Sequence, residues 1–292
     1  MLKRTIAGLI MAAILFLIVW LTGFSHFVFD AVLLAVCALA TYEMYGATTR
    51  ADTKIESQKG YKISKISLAF AILAIYPLCY FLGYTGLTFT AILSILIAFL
   101  VFIFDDKKTF NDFAVNVVVI FYPLIFLGLL FIINKDFGMI PVMLAIGIST
   151  ISDAFACWVG ASMGKRKIFP KISPKKTGAG FIGGIFGGAV GAIIVYLIFE
   201  LAKFPTNTIF TFGSLVKDNV LFTILIYAVI GFLVAFFSEI GDLAASRIKR
   251  QTGIKDFGKI LGSHGGIMDR VDSIMFTTVC VTIIMQIIVL IK

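Results

Sequence analysis

Long apolar runs recur along almost the whole sequence and restrict what the chain can fold into. A helix needs roughly 20 apolar residues to cross a hydrocarbon core of about 30 Å, and such runs return from Thr5 to Ile291. Of the 292 residues, 60% are hydrophobic and only 14% are charged. Membrane-spanning backbone must form helices or closed barrels, and these runs are too long and continuous for barrel strands. The pattern therefore predicts an all-α polytopic membrane helix bundle.

The runs divide into nine predicted membrane helices. These are 5–22, 27–45, 64–82, 86–104, 114–133, 138–163, 179–201, 219–241 and 273–291. Lys3 and Arg4 could open a cleaved signal peptide, but the following run is long and no clear cleavage site follows it, so we expect a retained helix. We predict two parts, with helices 1 to 5 in residues 1–135 and helices 6 to 9 with the catalytic loops in 136–292.

Basic residues lie mostly on one side of this predicted topology. The N-terminal segment and the loops after even-numbered helices hold 21 of the 25 Lys and Arg residues. Cytoplasmic segments of membrane proteins carry such an excess, so the N-terminus and these loops are predicted to be cytoplasmic. Topology and contact with anionic headgroups of the lipid bilayer then explain the net charge of +9. A nucleic-acid partner is not expected.

The last predicted cytoplasmic loop concentrates carboxylates and cations beside the membrane. It reads GDLAASRIKRQTGIKDFGKILGSHGGIMDRVD, residues 241–272. Asp269 and Asp272 are three residues apart, so both would project from one helix face if the start of the last helix includes them. Such a pair suits Mg²⁺, which binds carboxylate, phosphate and water oxygens, while the cations suit phosphate groups. Gly265-Gly266 would let backbone approach a ligand. This density favours phosphoryl or nucleotidyl transfer over a merely solvated loop.

A second basic loop, GKRKIFPKISPKKTGAGFIGG, leads into a glycine-rich helix. It could anchor the topology at lipid headgroups, or bind anions together with the free N–H groups of the helix start. Acids inside membrane spans are costly and usually functional, so Asp153, Glu239 and Asp242 indicate a polar cavity or a second metal site. The alternative for each is a neutral acid or a helix–helix hydrogen bond. Asp30 and Glu43 carry no motif and are interpreted as structural or interfacial.

Two apparent nucleotide motifs fail on their context. GAGFIG, residues 178–183, matches GxGxxG but opens a membrane helix with no strand before it, and GIKDFGK is followed by Ile260 where a P-loop needs Ser or Thr. Glycines from Gly180 to Gly191 repeat at four-residue intervals, which predicts close helix packing instead. The two histidines and four scattered cysteines form no metal-binding pattern.

Three stretches of the second half can be combined into one pattern: SRIKR at 246–250, KD at 255–256 and HGGIMDRVD at 264–272. The pattern closely resembles the C-terminal motif of the phosphatidate cytidylyltransferases, SxxKRxxxxKDxG...HGGxxDRxD, with every fixed position present. SPKKT at 173–177 resembles the start of the family's SPKKTWEG element, with Gly178-Ala179 in place of Trp-Glu. The first half resembles the family only in its apolar helices.

The resemblance implies transfer of CMP from CTP to phosphatidate, giving CDP-diacylglycerol and pyrophosphate. Mg²⁺ is then required, and a second cation is left open. The implied catalytic residues are Asp242, Asp269, Asp272, Lys255 and Arg270. Metal ligands would be Asp242, Asp269 and Asp272, with Asp153 and Glu239 as further candidates. Substrate-binding residues would be Ser173, Lys176, Thr177, Ser246, Lys249, Arg250, His264, Gly265 and Gly266.

Related activities remain as alternatives at this point. A CDP-archaeol synthase would use another lipid, and a CTP-dependent polyprenol kinase is less compatible with the motif, but the sequence does not specify lipid tails. A transporter would also place acids in membrane helices, although two related halves with broken helices are expected of one, and no such repeat is evident. Whether the chain acts as a homodimer is also left open.

Overall fold

The structure is a computed structural model that describes residues 16–23, 25, 27–50, 60–217, 219–262 and 265–291. Within these residues no β-strand occurs beyond two isolated bridges, Gly138 with Thr208 and Lys167 with Thr177. The same residues contain eight helices that are long and apolar enough to cross a membrane. The all-α polytopic membrane fold predicted from the apolar runs is therefore confirmed.

The eight helices are labelled in chain order. They are α1 Phe27–Thr49, α2 Lys65–Leu82, α3 Tyr84–Phe104, α4 Phe110–Phe137, α5 Met139–Met163, α6 Gly178–Leu201, α7 Val220–Gln251 and α8 Met268–Ile291. Each overlaps one of the last eight predicted helices. The predicted first helix, 5–22, lies mostly outside the described residues, and its part at 16–21 is helical. The total of nine helices and the cytoplasmic N-terminus stay predictions.

Two helix ends differ from expectation, both beside the last charged segment. Helix α7 continues to Gln251 instead of ending at 241, and α8 begins at Met268 instead of 273. A fall in hydropathy marks the edge of an apolar run. The helix itself ends only where the backbone leaves the helical conformation. After Gly241 the chain meets no further glycine or proline until Gly253, which has a φ of +69° and stops the helix. The predicted loop is correspondingly shorter.

The chain divides into two compact units. The first comprises Met1–Phe29, Ile133–Arg247 and Ser273–Lys292, and the second comprises Asp30–Ile132 and Ile248–Asp272. Helices α7 and α8 each contribute most of their length to the first unit and one end to the second. The predicted division into residues 1–135 and 136–292 concerns function and stays a prediction.

In the first unit, α6 packs closely against α5 and α7 because it presents glycines to both. A Cβ added to Gly183 would lie 2.6 Å from Val159 Cβ of α5, and one added to Gly188 would lie 2.8 Å from the Gly231 carbonyl oxygen of α7. Any larger residue would push the helices apart, so the glycine repeat serves helix packing, as predicted. Gly184 lies against the Glu239 carboxylate, which places α6 beside the acids of α7.

In the second unit, the start of α4 holds the segment that leads into α2. Thr109 and Asp112 form a capping box, with the Thr109 N–H donating to Asp112 Oδ2 at 2.8 Å and the Asp112 N–H to Thr109 Oγ1 at 3.3 Å. Asp112 also accepts from the Lys62 N–H at 2.8 Å, and Asn116 accepts from the Ser64 N–H at 3.0 Å. These bonds satisfy backbone donors where a membrane helix begins.

Candidate active site

The predicted site residues fall into both compact units. The first unit contains Asp153, Ser173, Lys176, Thr177, Glu239, Asp242 and Ser246. The second contains Lys249, Arg250, Lys255, Gly265, Gly266, Asp269, Arg270 and Asp272. His264 lies outside the described residues. Each group centres on one lysine between two acids, and we call these the Lys176 cluster (Lys176, Glu239, Asp242) and the Lys249 cluster (Lys249, Asp269, Asp272).

The Lys176 cluster joins a loop lysine to two acids of α7. Lys176 Nζ lies 2.6 Å from Glu239 Oε2 and 2.8 Å from Asp242 Oδ2, and it donates to the Glu239 carbonyl oxygen at 3.2 Å. Glu239 and Asp242 are three residues apart, so they project from one face of α7. The Glu239 side chain is only 1% exposed, whereas that of Asp242 is 35% exposed. The acid pair thus extends from the protein interior to a solvent-accessible position.

Local backbone structure explains why Lys176 reaches α7. Thr177 is the N-cap of α6, and its Oγ1 accepts from the Gly180 N–H at 3.1 Å. On the other side of Lys176, the Ile168 N–H donates to the Lys176 carbonyl oxygen at 3.3 Å, and the Gly178 N–H donates to that of Arg166 at 3.0 Å. The loop therefore folds back on itself and holds Lys176 at the helix start.

The Lys176 cluster sets one lysine against two acids. Burial disfavours the Lys176 ammonium, but the carboxylates of Asp242 and Glu239 outweigh burial and raise the pKa of Lys176 above its ordinary value. One ammonium faces two carboxyl groups, and Glu239 Oε1 has no hydrogen-bond partner among the described residues. A buried carboxylate oxygen without a donor is costly. The cluster is therefore suited to receive a cation or a donating ligand.

A cavity of about 440 Å³ opens at the Lys176 cluster. Besides the cluster, its polar lining consists of Asp153, Ser173, Lys175 and Thr177. The volume lies in the range typical of small-molecule sites, about 300 to 1,000 Å³. Acids, lysines and hydroxyls therefore share one cavity wall, a combination that suits a polyanion bound together with a metal ion.

The Lys249 cluster joins the end of α7 to the first turns of α8. Lys249 Nζ donates to Asp269 Oδ1 at 3.0 Å and lies 3.7 Å from Asp272 Oδ2. The same nitrogen lies 5.3 Å from the centroid of the buried Phe257 ring, within the range of a cation–π contact. Because α8 begins at Met268, the helix includes both acids, and their three-residue spacing then places them on one face.

Asp269 has donors at both carboxylate oxygens. Oδ1 accepts from Lys249, while Oδ2 accepts from the Phe257 N–H at 2.9 Å and the Gly266 N–H at 3.0 Å. Gly265 has a φ of +81°, and a Cβ there would lie 2.9 Å from Asp269 Oδ2. The glycine pair thus closes around a carboxylate of the protein itself. Three donors, one of them charged, hold Asp269 in one orientation.

The remaining predicted residues are more accessible. Arg250, Lys255 and Arg270 have exposed side chains, and Ser246 is half-buried on α7. Lys255 lines a second cavity of about 440 Å³ together with Arg50 and Lys259. These cations can reach a soluble polyanion.

The Lys176 cluster and the Lys249 cluster each contain a pair of acids. Among the described residues, no group of three or more His, Cys, Asp or Glu side chains could share a metal ion. Mg²⁺ commonly takes only one or two carboxylates and completes its shell with phosphate and water oxygens, so a pair is sufficient. The pair of Glu239 and Asp242 fits this need better than Asp269 does, because Glu239 Oε1 is unpaired and Asp269 has a donor at each oxygen.

One residue near the Lys249 cluster carries no motif. Glu43 of α1 is buried, and its Oε2 accepts from the Met268 N–H at 2.8 Å, next to Asp269. The only signal for it in the sequence is an acid inside an apolar span. Asp30, the other acid of α1, is also buried and accepts from the Tyr76 hydroxyl at 3.4 Å.

Comparisons with known proteins point to one family. The model described as "Cytidylyltransferase family" matches residues 2–288. Proteins named phosphatidate cytidylyltransferase from Thermotoga maritima, Aquifex aeolicus and Bacillus subtilis are 32%, 35% and 35% identical over 215, 167 and 177 residues. These alignments cover 70%, 57% and 58% of this chain, and 72%, 55% and 58% of the three relatives. The family match therefore includes both lysine clusters.

Proposed function

Because the chain belongs to the cytidylyltransferase family, we propose that it transfers CMP from CTP to phosphatidate, giving CDP-diacylglycerol and pyrophosphate. Three relatives that carry the name phosphatidate cytidylyltransferase support this choice of lipid. The observation that carries the proposal is the Lys176 cluster in the wall of a cavity of about 440 Å³. A buried carboxylate that keeps one oxygen, Glu239 Oε1, without a donor, beside lysines and hydroxyls, suits a metal-bound triphosphate.

In the proposed reaction, a phosphate oxygen of phosphatidate attacks the α-phosphorus of CTP. A phosphorus–oxygen bond forms there as the bond from the α-phosphorus to the bridging oxygen breaks, and pyrophosphate leaves with the electron pair. A phosphate monoester is already largely ionised near pH 7, with a second pKa of about 6, so a strong general base is unnecessary. Positioning of the two substrates and neutralisation of their charge then supply most of the rate enhancement.

The residues of the Lys176 cavity divide this work. Lys176 presents its ammonium to the phosphates, and Glu239 and Asp242 hold that ammonium in place. Ser173 and Thr177 offer hydroxyls to phosphate oxygens at the same wall. Mg²⁺, held by Glu239 and Asp242 with Asp153 nearby, would supply further positive charge to the triphosphate.

The residues of the second unit have a complementary part in the proposal. Asp269 and Asp272 orient Lys249 and are candidate ligands of a metal ion. The exposed cations of this unit bind phosphate oxygens of either substrate: Arg250, Lys255 and Arg270. We further propose that the chemistry occurs at the cytoplasmic face of the cell membrane, because the segments with both motifs carry the excess of basic residues.

The test is release of pyrophosphate by purified protein in detergent with CTP, phosphatidate and Mg²⁺, omitting each in turn. We expect release that needs all three, with a CMP-bearing lipid formed in equal amount. Release that needs another lipid acceptor instead of phosphatidate would overturn the substrate assignment. Folded protein that releases no pyrophosphate with any lipid acceptor would overturn the proposed reaction.

A further inference from the structure

Glu43 is a buried acid of α1 that neither motif includes. It is 5% exposed, and it meets residues that follow it by more than 200 positions in the sequence. Burying a carboxylate in a membrane helix is costly unless it has partners. Its partners are therefore the first guide to its role.

The Glu43 carboxylate is enclosed by backbone from two separate stretches of the second unit. Oε2 accepts from the Met268 N–H at 2.8 Å. A Cβ added to Gly258 or to Gly266 would overlap the Glu43 carboxylate, so both positions accept only glycine without a shift. Oε1, which lies against Gly258, has no hydrogen-bond partner among the described residues. The carboxylate therefore lies between these two stretches of backbone and keeps them apart.

The same two stretches of backbone also hold the Asp269 carboxylate. Oδ2 of Asp269 accepts from the N–H groups of Phe257, which precedes Gly258, and of Gly266. Met268, which donates to Glu43, directly precedes Asp269. We call the backbone at Phe257–Gly258 and Gly265–Met268 the Asp269 cradle. Glu43 contacts both parts of it.

We propose that Glu43 is a positioning residue that holds the Asp269 cradle, and thereby sets the orientation of Asp269 and its partner Lys249. It acts through the backbone and touches no reacting atom. Partners that orient an active-site carboxylate typically change activity or metal affinity by about 10- to 100-fold when removed. This inference rests on the proposed function, because the positioning matters for the transfer reaction.

The first experiment compares Glu43→Ala with Asp30→Ala, a change of the other buried acid of α1. Hydrogen–deuterium exchange and steady-state kinetics are measured on the same folded detergent samples. For Glu43→Ala we expect faster exchange in peptides that cover the Asp269 cradle, and a kcat lowered about 10- to 100-fold with KM for CTP nearly unchanged. Asp30→Ala should change neither the exchange of the cradle nor kcat. Glu43→Gln, which keeps the shape and an acceptor oxygen, should retain most of kcat.

A second pair of variants covers the case in which Glu43→Ala does not fold. Gly258→Ala adds a methyl group that overlaps the Glu43 carboxylate, and it should lower kcat. Combining it with Glu43→Asp, which shortens the acid by one methylene, should recover part of that kcat. Gly46→Ala is the matched control, because its added Cβ would meet nothing closer than 3.8 Å.

Each outcome decides a separate point. Folded Glu43→Ala with wild-type kcat would overturn the positioning role, whether or not the exchange of the cradle changes. Lack of recovery in the Gly258→Ala and Glu43→Asp double variant would also count against it. Wild-type protein that transfers no CMP would instead refute the proposed function, and the exchange data would still decide whether Glu43 holds the cradle.

Discussion

Both compact units place a lysine between two acids spaced three residues apart, but the acids of the two clusters are bonded to different extents. In the Lys249 cluster, Asp269 accepts from Lys249 and from two backbone N–H groups. In the Lys176 cluster, Glu239 Oε1 is buried and has no hydrogen-bond partner in the described part of the chain. The first arrangement is complete without a ligand, and the second is not.

The difference shows that similar spacing of charged residues can produce different kinds of site. A carboxylate with all its donors in place is held rigidly and can orient its neighbours. A carboxylate with an unpaired oxygen beside a cavity gains most from a cation that arrives with a substrate. We therefore expect changes in the Lys249 cluster to affect geometry, and changes in the Lys176 cluster to affect metal binding and charge balance.

The largest effect is expected for Asp269→Asn. An amide replaces one acceptor oxygen with an NH₂ group, so it opposes either Lys249 or the two backbone donors, whichever way it is turned. We expect kcat to fall by at least about 10³-fold, measured as pyrophosphate release, with protein of normal size-exclusion profile. The control is Asp106→Asn, at an exposed acid between α3 and α4. Wild-type activity in Asp269→Asn would contradict any catalytic or metal role for this residue.

Lys176→Met should have the largest effect on stability. It leaves buried Glu239 without its cationic partner, and removal of one partner of a buried ion pair costs about 3 kcal/mol or more. Thermal unfolding in detergent measures the loss, and adding Glu239→Gln to the variant should restore part of it because a neutral amide needs no counter-charge. Lys175→Met, at the exposed neighbouring lysine, is the control. Unchanged stability of Lys176→Met would show that the ion pairs contribute nothing.

Glu239→Gln tests whether the unpaired oxygen serves a metal ion. We expect the Mg²⁺ concentration for half-maximal activity to rise about 10-fold or more, and Mg²⁺ binding without substrates, followed by titration calorimetry, to weaken in parallel. Asp272→Asn should have a smaller effect, because Asp269 still holds Lys249. A larger effect at Asp272 would move the metal site to the Lys249 cluster.

The smallest expected effect is a difference in acylation that follows from the protonation of Lys176. Its carboxylate partners raise the pKa of Lys176 above the ordinary 10.5, so the stability from these ion pairs is fully present below that pH and is lost as pH rises through the raised pKa. Acylation requires a neutral amine, and we expect Lys176 to resist an acylating reagent at pH 9 while exposed Lys175 reacts. Mass spectrometry of the peptide reads out both. Equal acylation of the two lysines would contradict the pairing.

Much of the fold could be predicted because helix formation in a membrane depends on local composition. Each of the eight described spans coincides with an apolar run in the sequence. The end of α7 was placed too early because hydropathy falls at Asp242, whereas the helix continues until the backbone turns at Gly253. Apolar runs therefore located the spans, while backbone conformation set the helix ends.

The site was predictable in its residue types and only partly in its contacts. The family resemblance implied roles for Lys176 and Asp242, but it did not show that they bond each other across 66 positions. Asp269 and Asp272 share a helix face because α8 begins at Met268 and not at the predicted 273; their three-residue spacing predicted a shared face only for a helix that includes both. Glu43 was interpreted only as structural or interfacial, since its partner Met268 follows it by 225 positions.

The sequence by itself determined the membrane-spanning helices, the glycine-mediated packing of α6 and the presence of cations and acids beside the membrane. These properties depend on composition and on spacings of a few residues. Only the tertiary structure decided which lysine meets which acids, which carboxylate oxygen is left without a donor, and that Glu43 supports Asp269. Such contacts join residues from distant positions, and the free energy of each depends on burial and on donors that the linear pattern does not specify.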